Sequence, residues 1–346
     1  MHITRRRFSV GTAAAGAALA IGGSRRGSAA TLETIKIGSI NATSDAGAFL
    51  ADEFGYGREE GLKIEFQTIT SAPAIVAAVA TNQIDVGGIS VTPGLFAAVE
   101  QGINLRIVGD KQSFSSGFGS TKLHVRKALA KASEKETIEG LRGKTVAVNS
   151  KGAITFYFMT KLLQKYGLSL SDVNLVVLSY SNIAVGLARG TVDAGSLIEP
   201  FVTKSLKAGD SQIIGGELLE FVPGGQMSVT PLVYSEGLRN KKPTAEAFMR
   251  AYVRGVRAYN DAFAKGVRKN EVISIIAKRT QVDESIVRDG FLPGLDPNQR
   301  VNIEALNVVE KFYAEHGSVR NVIDASKIVD LSFAKAAVTS LGPYKK

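Results

Sequence analysis

The sequence predicts an α/β protein built from two similar lobes, and three observations support this fold class. Short β-branched stretches alternate with helix-like stretches, which is typical of parallel sheets covered by helices. The order strand, loop, helix, strand, helix, strand and proline-started helix occurs twice. Within that order, residues 82–93 (NQIDVGGISVTP) and 189–200 (RGTVDAGSLIEP) are similar enough to be two copies of one segment.

The first copy carries four predicted strands, at residues 34–40, 62–69, 84–89 and 105–110. Helices are predicted between them over 48–60, 71–81 and 92–102. Thr92 is expected to cap the last of these helices, with Pro93 at its first position and Gly102 beyond its end.

The second copy repeats this order, with predicted strands at 144–150, 173–179 and 191–197. Its helices are predicted within 151–167, 180–190 and 199–209, each followed by a glycine. Ser181 is expected to cap the second helix, and Pro200 to open the third. Asp85 and Asp193, which start matching strands, are predicted to bond the turn backbone rather than a ligand.

Two further strand-like segments are expected to connect the lobes. Residues 123–129 lead into the second lobe and 226–237 lead back, which predicts a two-stranded hinge. After Lys242 the chain is mostly helical, and this C-terminal tail is predicted to pack on the first lobe. The predicted boundaries are 31–122 plus 228–346 for lobe 1 and 123–227 for lobe 2.

Residues 1–30 have the organisation of an export signal. A basic start is followed by a small apolar run and then by Ser-Ala-Ala, which predicts cleavage after about Ala30. The segment TRRRFSV resembles the twin-arginine signal, and the apolar run is too short to span a bilayer. The alternative is a disordered basic tail. An exported protein without cysteine cannot carry a lipid on a cysteine, so we expect a periplasmic protein that is not a lipoprotein.

Composition excludes several classes of protein. The signal holds five Arg and no acid, so its removal lowers the net charge from +10 to +5, and no long basic run indicates nucleic-acid binding. The chain has no Cys, hence no disulfide and no thiolate-ligated metal. His124 and His316, which remain after cleavage, have no ligand-spaced partner, so no metal site is predicted.

Ligands of open α/β sheets bind beyond the carboxyl ends of the strands, beside helix N-termini. In both copies these loops are rich in hydroxyls, amides and glycine, which predicts one shared cleft for a small polar or anionic molecule. Ordinary helix capping uses the same residue types. The candidate ligand-binding residues are Ser39, Asn41, Thr43, Thr70, Ser71, Ser90, Thr92, Ser150, Lys151, Gly152, Thr155, Tyr180, Ser181 and Glu199.

Three of these candidates have two interpretations each. Lys151 either holds an anion or is solvated, and Tyr180 either stacks on a ligand or packs in the wall. Glu199 either accepts a hydrogen bond from a ligand or stabilises a helix N-terminus. No catalytic constellation accompanies them: GLRGKT (140–145) lacks the first glycine of a phosphate loop, and no G-x-S-x-G occurs. We therefore predict no catalytic residues, no cofactor and no enzyme activity.

The ordered segments GLKIEF, NQIDVGGIS, LRGKTVAV, YGLSLSDVNLV and LARGTVDAGSLIEPF resemble the nitrate/sulfonate/taurine-type solute-binding proteins of ABC importers, within the wider SsuA/THI5-like (NMT1-like) group. The resemblance covers most of residues 34–270. It implies a periplasmic-binding-protein fold of type II (a Venus flytrap), a ligand in the cleft and a membrane permease as partner. The Glu199-Pro200-Phe201 step is similar to the group's W-E-P step, although no Trp precedes it.

Two other functions stay open. The same fold group contains enzymes, either a THI5-like synthase, whose Cys-rich iron motif has no counterpart in a chain without Cys, or a chorismate-dehydratase-like lyase. A subunit that presents its ligand to a membrane sensor would have the same sequence features. The export signal would require the twin-arginine translocase as a transient partner and favours the importer over a cytoplasmic enzyme.

Overall fold

The computed structural model describes residues 32–69, 72–216 and 218–345; the predicted export signal, Thr70 and Ser71 lie outside the described residues. In chain order the described strands are β1 (Glu33–Ser39), β2 (Leu62–Thr68), β3 (Val86–Gly88), β4 (Arg106–Phe114), β5 (Thr121–Arg126), β6 (Thr145–Val148), β7 (Asn174–Val177), β8 (Ala194–Ile198), β9 (Ser211–Ile214) and β10 (Met227–Tyr234). The α-helices are α1 (Ala46–Glu53), α2 (Tyr56–Glu59), α3 (Ala72–Ala80), α4 (Pro93–Glu100), α5 (Glu134–Glu139), α6 (Ile154–Lys165), α7 (Tyr180–Arg189), α8 (Phe201–Ala208), α9 (Glu236–Asn240), α10 (Lys242–Lys265), α11 (Lys269–Thr280), α12 (Glu284–Asp289), α13 (Ile303–Glu315) and α14 (Ser332–Leu341).

The strands form two sheets of the same topology. The first sheet has the order β2-β1-β3-β10-β4 and the second the order β7-β6-β8-β5-β9. In each sheet the three strands of the repeated unit are parallel, and the next strand is antiparallel to its neighbours on both sides. The predicted two-lobed α/β fold is confirmed. We call the part of the chain around the first sheet the first half and the part around the second sheet the second half.

The two repeated aspartates hold matching strands together. The Asp85 carboxylate accepts the backbone N–H of Lys36 on β1 at 2.8 Å. The Asp193 carboxylate accepts that of Thr145 on β6 at 3.0 Å and pairs with Arg126 at 2.9 Å. Both side chains bond backbone, as predicted, but the backbone belongs to the neighbouring strand of the sheet and not to the turn.

The two chain crossings between the halves lie side by side. The chain leaves the first sheet at the end of β4 and returns along β10, where Met227 pairs with Phe114. Strand β4 was predicted to end at residue 110, but it continues to Phe114. The polar extension of β4 pairs with β10. Lys111 and Gln112 are therefore strand residues.

Three local predictions change at helix ends. The helix predicted over 48–60 is split into α1 and α2 because Gly55 adopts φ +78°. The cap of α7 is Ser179, whose side chain accepts the N–H of Asn182, and not Ser181. Pro200 is the N-cap of α8 rather than its first residue, while Gly190 ends α7 at φ +75° as predicted.

The C-terminal tail contacts both halves. Helix α10 packs on α1 so closely that a Cβ on Gly255 would lie 2.1 Å from the carbonyl oxygen of Gly47. Helix α13 also reaches α6, where the Phe312 ring lies 5.1 Å from that of Tyr157. Within the described residues, none of the helices has the length and apolarity needed to cross a bilayer.

Candidate ligand-binding cavity

A cavity of about 370 Å³ lies where loops of the two halves meet. Its walls come from the carboxyl ends of strands in both sheets and from the first turns of the helices that follow. Both repeated segments contribute to it. The predicted residues on its wall are Thr43, Ser90, Thr92, Ser150, Gly152, Thr155, Tyr180 and Glu199.

Four predicted residues lie away from this wall. Ser39 is buried behind it and donates to Asp45 at 2.9 Å. Asn41 donates to Thr68 at 3.3 Å. Lys151 and Ser181 are exposed, and the Ser181 hydroxyl lies 3.0 Å from the capping Ser179 hydroxyl. Thr70 and Ser71 lie outside the described residues.

Lys111 is the charged wall residue that sequence analysis missed. Its ammonium donates to Ser44 at 2.9 Å and pairs with Asp45 at 2.9 Å, and the two charged side chains are only 7% and 1% exposed. Gly88 makes room for it, since a Cβ there would lie 2.1 Å from Lys111 Cδ. The signal was present in the sequence: polar residues directly follow the apolar run LRIVG.

The carboxylate beside Lys111 is fixed from its other side. Asp45 accepts hydrogen bonds from the Ser39 hydroxyl at 2.9 Å and from the Ala42 N–H at 3.1 Å. Lys111 therefore presents N–H donors at a fixed position, while Asp45 offsets most of its charge. Such a pair favours ligand groups that accept hydrogen bonds.

Helix N-termini supply further donors on both sides of the cavity. The N-caps of α4 and α6, Thr92 and Ala153, line the cavity, and neither side chain caps its helix. The positive end of each helix dipole is therefore not covered by its own cap side chain. An anion or a polar oxygen in the cavity would be stabilised by both ends.

Tyr180 and Thr155 form the hydroxyl-rich wall of the second half. Burial raises the pKa of Tyr180 to about 12, partly offset by a hydrogen bond with Thr155. The phenol is therefore neutral at physiological pH. Thr155 in turn donates to Asn149 at 3.0 Å.

Part of the cavity wall is apolar, while Gln112, Ser120, Thr121 and Thr230 add further polar side chains. Aliphatic side chains line the cavity from both halves, among them Ile75, Val91, Ile154 and Ile198. The combination of donors and aliphatic walls suits an organic molecule with a polar or anionic head and an apolar body.

Glu199 lines the cavity, but its oxygens are engaged elsewhere. They accept hydrogen bonds from the N–H of Thr203 at 3.2 Å, from the Thr203 hydroxyl at 2.7 Å and from the N–H of Phe291 at 2.7 Å. The first two bonds support the helix-stabilising interpretation. The third, to a distant segment, has no signal in the sequence. Among the described residues no cluster of metal-ligating side chains occurs.

The chain matches a family model and is similar to two named binding proteins. A family model described as the NMT1-like family matches residues 28–277. A protein of Bacillus subtilis (strain 168) named for binding aliphatic sulfonates is 24% identical over 89% of both chains. The taurine-binding periplasmic protein of Escherichia coli (strain K12) is 24% identical over 69% of both chains.

Solved structures share the fold. The alkanesulfonate-binding protein SsuA of Xanthomonas axonopodis pv. citri, bound to MOPS, superposes with a TM-score of 0.65 at 18% identity, over 87% of this chain and 99% of that one. The desulfurization enzyme DSZB superposes with a TM-score of 0.63 to 0.65 at 15–16% identity, over 89% of this chain and 99% of that one. One fold therefore serves both binding proteins and an enzyme.

Proposed function

The chain belongs to the NMT1-like family, and we propose that it is the solute-binding subunit of an ABC importer, which captures a small organic molecule between its halves and delivers it to a membrane permease. One observation carries the proposal. The cavity of about 370 Å³ is lined by the equivalent loops of both repeated units. A ligand there touches both halves at once.

The proposed ligand is polar or anionic at one end, of the sulfonate or taurine type. Lys111 and the ends of α4 and α6 would hold its head, with hydroxyls of Thr43, Ser90 and Thr92 around it. The aliphatic walls would cover its body. The named relatives that bind aliphatic sulfonates and taurine support this class of ligand.

Binding would close the two halves about the β4–β10 crossing. The halves already meet at the cavity rim, where a Cβ on Gly152 would lie 3.0 Å from Pro93. A ligand that touches both halves binds the closed form more tightly and shifts the population towards it. The permease would recognise that closed form. We keep the lobe boundaries given by the sequence, 31–122 plus 228–346 and 123–227, as part of the proposal.

We propose that residues 1–30 export the folded protein through the twin-arginine translocase to the periplasm, where it is soluble and carries no lipid anchor. Changing Arg5 and Arg6 to Lys should leave the protein in the cytoplasm, measured by cell fractionation and blotting. Unchanged export of this variant would contradict the twin-arginine signal.

An enzyme is the second candidate, because DSZB has the same fold. The chain has no Cys, and no His lies on the described cavity wall. We therefore propose binding without chemistry. Mass spectrometry of a bound sulfonate after prolonged incubation should recover it unchanged; a stoichiometric or catalytic product would favour the enzyme.

Thermal-shift and calorimetric titrations with taurine, hexanesulfonate, benzoate and nitrate test the binding function. A ligand that binds only the folded state raises the melting temperature. Thr92→Val should weaken binding of the best ligand about tenfold, because it removes a wall hydroxyl that caps no helix. Thr339→Val, at an exposed position of α14 away from the cavity, is the matched control and should bind as the parent does. Failure of every probe, or equal binding by Thr92→Val, would count against this cavity.

A further inference from the structure

Glu199 joins the second half to a segment that belongs to the first half. Its Oε1 accepts the backbone N–H of Phe291 at 2.7 Å. Glu199 directly follows β8 of the second sheet, whereas Phe291 directly follows α12 and its neighbour Gly290. This hydrogen bond therefore spans the two halves at the cavity wall.

The chain around Phe291 is anchored to the first half. Gly294 exchanges backbone hydrogen bonds with Ser113 on β4, at 2.7 and 3.1 Å. Helix α10 holds the same stretch, since the Tyr259 hydroxyl donates to the Pro293 carbonyl at 2.8 Å. When the halves separate, residues 289–291 should therefore move with the first half.

Residues 289–291 make three more contacts with the second half, one of which is the packing of the Phe291 side chain against the buried apolar cluster that includes Leu197 and Val202. Lys207 on α8 pairs with Asp289 at 2.8 Å, and the Lys122 ammonium on β5 lies 4.8 Å from the centre of the Phe291 ring. Gly290 allows the close approach, because a Cβ there would lie 3.1 Å from Glu199 Oε1. We call residues 289–291 the latch segment.

The ion pair of the latch segment lies at the surface, whereas the hydrogen bond at Glu199 is partly buried. Both side chains of the Lys207–Asp289 pair are about half exposed, at 53% and 47%, and such pairs contribute little. Glu199 is partly buried, and a hydrogen bond to a carboxylate is stronger than one between neutral groups. The Glu199–Phe291 bond should therefore be stronger than the ion pair of the latch segment.

We propose that Glu199 is a positioning residue that holds the halves in the closed arrangement through the Phe291 N–H, so that the latch segment sets the open–closed equilibrium of the ligand-free protein. This inference rests on the proposed two-lobed binding function. It assigns Glu199 a role besides capping α8 and besides contact with a ligand.

The test uses the absence of Cys from the chain. Lys204→Cys on α8 and Lys278→Cys on α11 place spin labels at exposed positions on the two sides of the latch. Pulsed electron–electron double resonance then measures the distribution of distances between the two spin labels in the ligand-free protein. This readout needs no ligand.

Two variants should break the latch. In this background, Glu199→Ala removes the acceptor and Phe291→Pro removes only the N–H donor and the ring. Gly290 already has φ −79° and ψ 168°, which suits a residue before proline. Both variants should shift the population from closed to open about tenfold or more, seen as a longer and broader distribution.

Three variants serve as matched controls. Phe291→Ala keeps the N–H and loses the ring, Thr203→Val loses the hydroxyl bond to Glu199 but keeps the N–H bond, and Glu199→Gln keeps an oxygen acceptor. Thr203→Val and Glu199→Gln should give distributions close to that of the parent, and Phe291→Ala, which loses only the packing of the ring, should shift the distribution less than Phe291→Pro. Circular dichroism confirms folding; if Phe291→Pro does not fold, the contrast between Glu199→Ala and Thr203→Val decides.

Unchanged distances in Glu199→Ala and Phe291→Pro would overturn the latch. A shift in Thr203→Val equal to that in Glu199→Ala would do so too, because loss of the Thr203 hydroxyl bond to Glu199 would then explain the effect without the Phe291 N–H. An equal shift in Phe291→Ala would assign the effect to the ring. Absence of ligand binding by the parent would contradict the proposed function without changing these distances, so the two failures are distinguishable.

Discussion

The two halves share a scaffold and differ at the cavity wall. Both sheets have the same strand order, and an aspartate bonds the first strand of each repeated unit at the same place. At the wall, the first half presents Lys111, paired with the buried Asp45, whereas the second half presents hydroxyls, Tyr180 and the hydrogen-bonded Glu199. The backbone bonds of the aspartates are thus the same in both halves, while the side chains that face the cavity differ.

The largest difference in unfolding free energy should appear between variants of Lys111 and of Lys151. Lys111→Met leaves the Asp45 carboxylate buried without its cation, which should lower the free energy of unfolding by about 3–5 kcal/mol. Lys151→Met, at the exposed lysine of the second half, should change it by less than about 0.5 kcal/mol. Urea unfolding measures both. A loss below about 1 kcal/mol in Lys111→Met would show that Asp45 does not depend on Lys111 as its partner.

Buried titratable groups should give the halves opposite pH dependences. On β4, burial raises the pKa of Asp110 to about 7, with the charge of Asp296 adding to it and the Ser228 hydroxyl offsetting part. On β5, burial lowers the pKa of His124 to about 4. From about pH 4 to 6.5, Asp110 is protonated in the folded state and ionised in the unfolded state. Over the same range, His124 is neutral in the folded state and protonated in the unfolded state. With rising pH, Asp110 therefore lowers stability and His124 raises it.

Two variants separate these contributions. Between pH 4.5 and 6.5, the stability of Asp110→Asn relative to the parent should rise by about 2 kcal/mol, and that of His124→Asn should fall by about the same amount. Urea unfolding at both pH values gives the two differences. Differences of the same sign would contradict the assigned charge states.

Sequence reasoning predicted what depends on local pattern. The repeated order of strands and helices, the roles of Asp85 and Asp193, and glycine ends such as Gly190 follow from periodicity and turn chemistry. Lys111 was missed because β4 continues through polar residues that only the pairing with β10 makes into a strand. The Glu199–Phe291 bond joins residues 92 positions apart, and no local pattern specifies such a contact.

The repeated aspartates allow a direct comparison of the scaffolds. Asp85→Ala and Asp193→Ala each leave a strand N–H without its partner, which should cost about 1 kcal/mol. Asp193→Ala should cost up to about 1 kcal/mol more, because Arg126 also loses its ion pair. Thermal or urea unfolding of both variants shows which of them loses more unfolding free energy. A larger loss for Asp85→Ala would show that the two ties are not equivalent in their surroundings.

The smallest expected difference in unfolding free energy is between variants of the N-cap residues of α7 and α4. Ser179 accepts the Asn182 N–H and caps α7, so Ser179→Ala should cost about 1 kcal/mol of unfolding free energy. The Thr92 hydroxyl makes no capping bond on α4, so Thr92→Ala should cost less than about 0.5 kcal/mol. Equal losses in urea unfolding would mean that Thr92 caps its helix in solution. Its hydroxyl would then be committed to the scaffold and not available to a ligand.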